Sequence, residues 1–247
     1  MNQQAVLITG GTSGIGRATA ELLHEQGVRV MVTGSSEESV AAARAHFPQE
    51  IIVVQADAAS LDDTTRAVHE AEQAFGKLTG VFLNAGIVSS SPVEAVDEAT
   101  WDRVFAVNAK GQFFTLQKAL PLLTDDAAVV ITVGIGATRG MAGSSVAAGS
   151  RGALLTMIPS LAIELAPRGI RVNAVSPGPI DTPIMGKMGL PAEQVTTIKQ
   201  DMAESLPLQR LGQAREVATT VAFLLSDNAS YITGENIVVG GGAGLRL

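Results

Sequence analysis

The chain has 247 residues, 46% of them hydrophobic, 17% charged, with a net charge of −7 and no cysteine. That length suits one α/β domain (1–247) with a large core, and the apolar content excludes a disordered chain. The acidic balance argues against a nucleic-acid surface; the missing cysteines exclude disulfides and thiolate metal sites and suit a cytoplasmic protein.

No apolar run is expected to reach the ~18 residues of a membrane span, so no membrane partner is expected. Met1-Asn2-Gln3-Gln4 offers no basic leader. The three histidines, His24, His46 and His69, fall on predicted outer helices. Solvated faces account for them better than a zinc site or a Ser-His-Asp triad, so no metal is expected.

In chain order, Ala5 to Thr9 is an apolar, β-branched strand that runs into Gly10-Gly11-Thr12-Ser13-Gly14-Ile15-Gly16 and then a helix to Gln26. Gly10, Gly14 and Gly16 permit positive φ and close backbone approach. The N–H groups opening the helix, aided by its dipole, would face a phosphate. A strand before and a helix after make this a dinucleotide pyrophosphate turn.

Strands follow at 28–32, 51–54, 78–83, 128–133, 170–175 and 237–239. Helices are expected at 37–47, 61–75, 101–123 and 145–166, the last containing Pro159. The alternation predicts a Rossmann-type, doubly wound parallel sheet of about seven strands with helices on both faces. Gly10, Gly34, Asp57, Asn84, Gly134 and Pro177 all fall at carboxyl ends of strands, where such sheets bind ligands. Residues 184–206 read as an irregular excursion, a candidate lid over a substrate pocket.

Several motifs together resemble the short-chain dehydrogenase/reductase family, nearest to its 3-oxoacyl-carrier-protein reductases. They are Thr9 to Gly16, Asn84-Ala85-Gly86, Asn108 in Val107-Asn108-Ala109-Lys110-Gly111, Ile170 to Ser176, and Pro177-Gly178-Pro179-Ile180-Asp181-Thr182-Pro183. The resemblance implies that Gly10, Thr12, Ser13, Gly14, Ile15 and Gly16 hold the pyrophosphate. Asp57, beside Ala58, would accept from the adenine amino group. Asn84, Ala85 and Gly86 would pass the adenosine ribose, and Ile180 and Thr182, after Pro177 and Gly178, would meet the nicotinamide carboxamide. Where NAD-users place an acid for the ribose hydroxyl, this chain has Gly34-Ser35-Ser36, which favours NADP(H) over NAD(H).

The family's carbonyl reduction uses a Tyr acid, a Ser on the carbonyl oxygen and a Lys that lowers the Tyr pKa. The gapless match downstream of Ala153 puts Gly134 at the Ser position, Ala147 at the Tyr position and Arg151 at the Lys position. Asn108 alone of the four catalytic positions is kept, with Arg151 retaining a charge but supplying no acid near neutrality. The lone tyrosine, Tyr231, lies where the family places nothing at the nicotinamide.

Three functions follow as expectations: an oxidoreductase with atypical chemistry, a non-catalytic NADP(H) sensor or partner subunit, or a non-redox enzyme on the same fold. The resemblance further implies a homodimer or homotetramer built on the long helices. The substrate is not legible.

Overall fold

The computed structural model describes residues 4–183 and 192–245. The chain runs β1 (Ala5–Thr9), α1 (Gly14–Glu25), β2 (Arg29–Gly34), α2 (Glu37–His46), β3 (Ile52–Gln55), α3 (Leu61–Phe75) and β4 (Leu78–Leu83). It continues with α4 (Glu98–Phe105), α5 (Gly111–Ala119), β5 (Leu123–Thr132), α6 (Ser145–Leu165), β6 (Arg171–Pro177) and β7 (Ile180–Asp181). The last elements are α7 (Ala192–Ser205), β8 (Gly212–Gln213), α8 (Ala214–Leu225) and β9 (Asn236–Val239).

Seven strands form one parallel sheet in the order β3-β2-β1-β4-β5-β6-β9, as a doubly wound Rossmann-type fold requires. The chain leaves β1 toward β3, then returns on the other side at β4, opening a crevice beyond the ends of β1 and β4. Alternate residues of each strand feed opposite cores. Ala5 and Leu7 pack with α3, α5 and α6, whereas Val6 and Ile8 pack with α1, α2 and α8. Burial on both faces explains the near-continuous apolar strands.

Four expectations are corrected by the structure. The helix read over 101–123 is interrupted: α4 ends at Phe105, Ala106–Lys110 form a π-turn, and α5 stops at Ala119. Leu123 already belongs to β5, which bends at Asp126 (φ 64°) before the Ala128 register begins. Of the excursion at 184–206, residues 184–191 lie outside the described part and Ala192–Ser205 are the helix α7. Residues Ser145–Arg168 are, by length and composition, apolar enough to cross a membrane. In this fold Val146, Ser150, Leu154, Ile158 and Ala162 of α6 are buried.

Candidate functional site

The turn after β1 is built around contacts that leave no room for side chains. Gly10 (φ 62°) and Gly14 (φ 55°) sit in the left-handed region. A Cβ on Gly10 would lie 2.7 Å from Ala85 Cα, and one on Gly16 would run into the Gly10 carbonyl oxygen and Asn84 Nδ2. A Cβ on Gly34 would stand 2.5 Å from Thr12 Cγ2, and one on Gly14 would be 3.5 Å from Thr182. Thus the turn, the end of β2, the end of β4 and Thr182 meet at one place, as the motif spacing anticipated.

Polar bonds fix that meeting. Asn84 Nδ2 donates to the Gly10 carbonyl at 3.0 Å. The Thr9 hydroxyl accepts from the Asn84 and Ala85 N–H groups at 2.9 and 3.0 Å and donates to Gln112 Oε1 at 3.1 Å. Gln112 Nε2 returns a bond to the Ala85 carbonyl at 2.5 Å. Thr9 and Gln112 are both buried; Thr9 opens the motif read from the sequence, whereas Gln112 escaped that reading. Ser13 occupies the N-cap of α1 without a side-chain cap, and the first turn of the helix carries no acid. Its leading N–H groups therefore face the cleft with their dipole unopposed, a cradle suited to a pyrophosphate.

On the β3 side of the crevice, Asp57 follows β3. Arg103 of α4 donates Nη1 to Asp57 Oδ2 at 2.9 Å and Nη2 to Oδ1 at 3.3 Å, and the Ala59 N–H donates to Oδ1 at 3.0 Å. Burial pushes this carboxyl up, but the Arg103 bonds, the Ala59 N–H and the Arg103 charge outweigh it and hold it below its ordinary value. Ala58 is pinned from behind, since a Cβ on Gly111 would strike its carbonyl oxygen.

The end of β2 presents the buried Gly34, then the exposed Ser35 and Ser36. Ser36 Oγ accepts from the Ser39 N–H at 3.2 Å and caps α2, whose first turn carries Glu37 and Glu38. On the far side, Gly178 packs on Gly240, where a Cβ would be 2.6 Å from Gly240 Cα, and its N–H donates to the Val239 carbonyl. Ile180 is buried beside the short β7–β8 ladder.

The β5–α6 side differs. Gly134 has φ 87° and ψ 149°, a backbone open essentially to glycine alone, and a Cβ there would find nothing nearer than 3.9 Å. Ala147 is half-buried. Arg151 donates Nη1 to the Thr132 carbonyl at 2.7 Å and Nη2 to the Ala85 carbonyl at 3.2 Å. Desolvation brings its guanidinium down to about 10, and among the described residues it has no carboxylate partner. Gly86 exists for it, because a Cβ there would collide with Nη2. Asn108 sits in the π-turn and reads the backbone of Ile87 both ways, accepting from its N–H at 2.8 Å and donating to its carbonyl at 3.0 Å. It also donates to the buried Ser150 hydroxyl at 3.1 Å.

Other hydroxyls are committed. Thr132 donates to Asn84 Oδ1 at 3.0 Å, and Ser150 donates to the Ala147 carbonyl at 2.8 Å. Tyr231 is fully exposed and precedes the amino end of β9, whereas the cleft lies beyond the carboxyl ends of the strands. Among the described residues no cluster of His, Cys, Asp or Glu could hold a metal.

Residues 10–244 match the family described as Enoyl-(Acyl carrier protein) reductase. The chain belongs to the short-chain dehydrogenase/reductase family. Levodione reductase of Leifsonia aquatica is 33% identical over 249 residues, 97% of this chain and 93% of that protein. Its crystal structure superposes with a TM-score of 0.88 at 34% identity, covering 97% of this chain and 96% of that one. A 3-oxoacyl-(acyl-carrier-protein) reductase of Staphylococcus aureus is 35% identical over 246 residues, with 97% of each chain covered. The crystal structure of a blue fluorescent protein from a metagenomic library, in complex with NADPH, matches with a TM-score of 0.90 at 30% identity over 99% of each chain. This is a family of oxidoreductases that bind a nicotinamide cofactor, and the glycine cradle described above fits such a group.

Proposed function

We propose that this chain binds NADP(H) across the cleft, and that Gly134, Ala147 and Arg151 replace the Ser, Tyr and Lys of acid-assisted carbonyl reduction. The bound cofactor would supply a hydride. The Gly10–Gly16 turn and the start of α1 would hold its pyrophosphate, Asp57 and Ala58 its adenine, Asn84 to Gly86 its ribose, and Ile180 and Thr182 its carboxamide. One observation carries the loss of the acid. The arginine at the Lys position spends both ends of its guanidinium on the Thr132 and Ala85 carbonyls, in reach of no phenol. A guanidinium near 10 stays protonated at neutral pH and is a poor acid there. Hydride transfer would then proceed with atypical or strongly impaired chemistry.

A second reading, a non-catalytic NADP(H) sensor or the partner subunit of an active relative, is supported by the committed hydroxyls of Thr132 and Ser150. A non-redox reaction on the same fold would need a proton-transfer residue that the described cleft does not offer. The preference for NADP(H) rests on the absence of a carboxylate at Gly34-Ser35-Ser36. Glu37 and Glu38, one turn further on, favour NAD(H) instead. A cytoplasmic homodimer or homotetramer completes the proposal. Its contacts would be α4, α5 and α6, which leave Trp101 and Ile163 47% and 76% exposed.

Titration with NADPH and NADH, followed by nicotinamide fluorescence, tests the reading. NADPH should bind, and a panel of ketones should turn over at least ~100-fold more slowly than with an acid-bearing member of the family, with no turnover at all favouring the non-catalytic reading. Failure of both cofactors to bind removes the dinucleotide reading; tighter NADH binding overturns only the Gly34-Ser35-Ser36 argument. Ordinary ketone turnover would show that an acid is present after all.

A further inference from the structure

The two-pronged ion pair at the cleft, Arg103 with Asp57, is poorly explained as a stabilising contact. The two side chains are 49% and 31% exposed, and pairs so placed contribute about 0–1 kcal/mol. Its geometry is more informative than its energy. An ionised carboxylate offers about four lone-pair sites. In Asp57, Oδ1 takes the Ala59 N–H and Arg103 Nη2, while Oδ2 takes Arg103 Nη1. Three donors fix the plane of the group and leave one acceptor direction open, on Oδ2. The backbone beneath is equally constrained: the Asp57 N–H donates to Asp63 Oδ2 at 2.9 Å, and the Ser60 N–H donates to the Asp57 carbonyl at 2.9 Å. Arg103 reaches this turn from α4, 46 residues away in sequence.

We infer that Arg103 is a positioning residue for base recognition: it holds the Asp57 carboxylate with a single free lone pair that selects a base carrying an amino donor over one carrying a carbonyl. This rests on the dinucleotide reading above. An adenine 6-amino group satisfies that lone pair. The 6-oxo group of a hypoxanthine base presents an acceptor to an acceptor, leaves both oxygens unpaired, and is repelled. Without the guanidinium only the Ala59 N–H holds the carboxylate, and the direction of its remaining lone pairs is no longer set.

The test compares the better-bound of NADPH and NADH with its hypoxanthine counterpart, since the reduced nicotinamide reports on both. The intact protein should prefer the adenine form by about tenfold or more, the scale of one charge-assisted hydrogen bond. Arg103→Ala and Arg103→Gln should lower that ratio by about threefold or more through weaker adenine binding, with the hypoxanthine form bound nearly as well as before. Arg103→Lys keeps the charge but not the two-pronged fork, and should recover only part of the preference. A merely structural role would weaken both dinucleotides alike and leave the ratio unchanged, which overturns the inference. Equal binding of the two forms by the intact protein also overturns it, while leaving the dinucleotide reading standing. Binding of neither form defeats both. Asp57→Asn provides a second route: if Arg103 acts through Asp57, Arg103→Ala should alter the ratio no further in that background.

Discussion

The two flanks of the cleft are built on opposite principles. Around β1 and β4, glycines let backbone touch backbone, and the Thr9–Gln112–Asn84 bonds freeze the arrangement. That flank presents N–H groups and a helix dipole outward. On the β5–α6 flank the positions that could carry chemistry are small, at Gly134 and Ala147, and the one charge is turned inward. Arg151 does there what Asn84 does on the other side, satisfying the carbonyls of a strand end. The first flank keeps outward-facing donors, whereas the polar groups of the facing flank are committed within the protein, Arg151 to the Thr132 and Ala85 carbonyls and Thr132 to the Asn84 side chain. On the proposed reading, the contrast separates dinucleotide binding from proton delivery within one architecture.

The largest expected effect comes from reversing that contrast. The combined substitution Gly134→Ser, Ala147→Tyr and Arg151→Lys should raise NADPH-dependent ketone reduction at least ~100-fold over the parent chain, the lower range for a positioned acid. Gly134→Ser alone should be the costly member, because its backbone at φ 87° strains any side chain by about 1–3 kcal/mol. A folded, NADPH-binding triple variant with no turnover across a broad ketone panel would show that the missing acid is not what limits this chain.

A smaller effect probes how Arg151 is accommodated. Gly86→Ala places a methyl where Nη2 now lies and should lower stability by about 1–3 kcal/mol, the usual cost of overpacking. Arg151→Ala takes a donor from the Thr132 carbonyl and one of the two side-chain donors, with Gln112 kept, from the Ala85 carbonyl, and should cost a similar ~1–3 kcal/mol. The double variant should be less damaged than the sum of the two, since the methyl fills space the guanidinium vacated. Urea denaturation of the four proteins measures this. Strict additivity would mean that Gly86 is not a glycine on account of Arg151.

The binding flank was legible in the sequence because its signals are local. Three glycines at fixed spacing, preceded by a strand and followed by a helix, sit within twelve residues that contact one another. The doubly wound sheet was legible for the same reason, through alternation of short apolar runs with amphipathic ones. What stayed hidden depends on distant partners. Val107-Asn108-Ala109-Lys110 is acceptable helical sequence, and only the bonds from Asn108 to Ile87, 21 residues away, account for a π-turn there. Arg103 reads as a solvated helix residue until β3 brings Asp57 beside it. The helix α8 went unread although its signal was present. Gln213 and Glu216 form a capping box, and Val217, Ala218, Val221, Ala222 and Leu224 repeat at helical spacing. That helix packs against α1, so the element behind the glycine-rich turn is partly built by the last fifth of the chain.

The smallest effect separates the two flanks by pH. Asp57 lies below its ordinary pKa when folded, so its pairing stabilises the protein above the unfolded value of about 4 and is lost as pH falls through the folded value. Arg103→Ala removes both the hydrogen bonds and the charge that lower it. The loss of stability in that variant should therefore be greatest near pH 7, amount to less than about 1 kcal/mol at this half-exposed pair, and fade toward pH 3. Arg151 has no carboxylate partner and a guanidinium that stays charged below about 10. The stability lost in Arg151→Ala should accordingly be flat from pH 7 down to pH 5, well away from any group it pairs with. Thermal melts of both variants against the parent at three pH values make the comparison. A pH-independent loss in Arg103→Ala would mean that Asp57 is not held ionised by that guanidinium. A pH-dependent loss in Arg151→Ala would reveal an acidic partner of that guanidinium, which has none among the described residues.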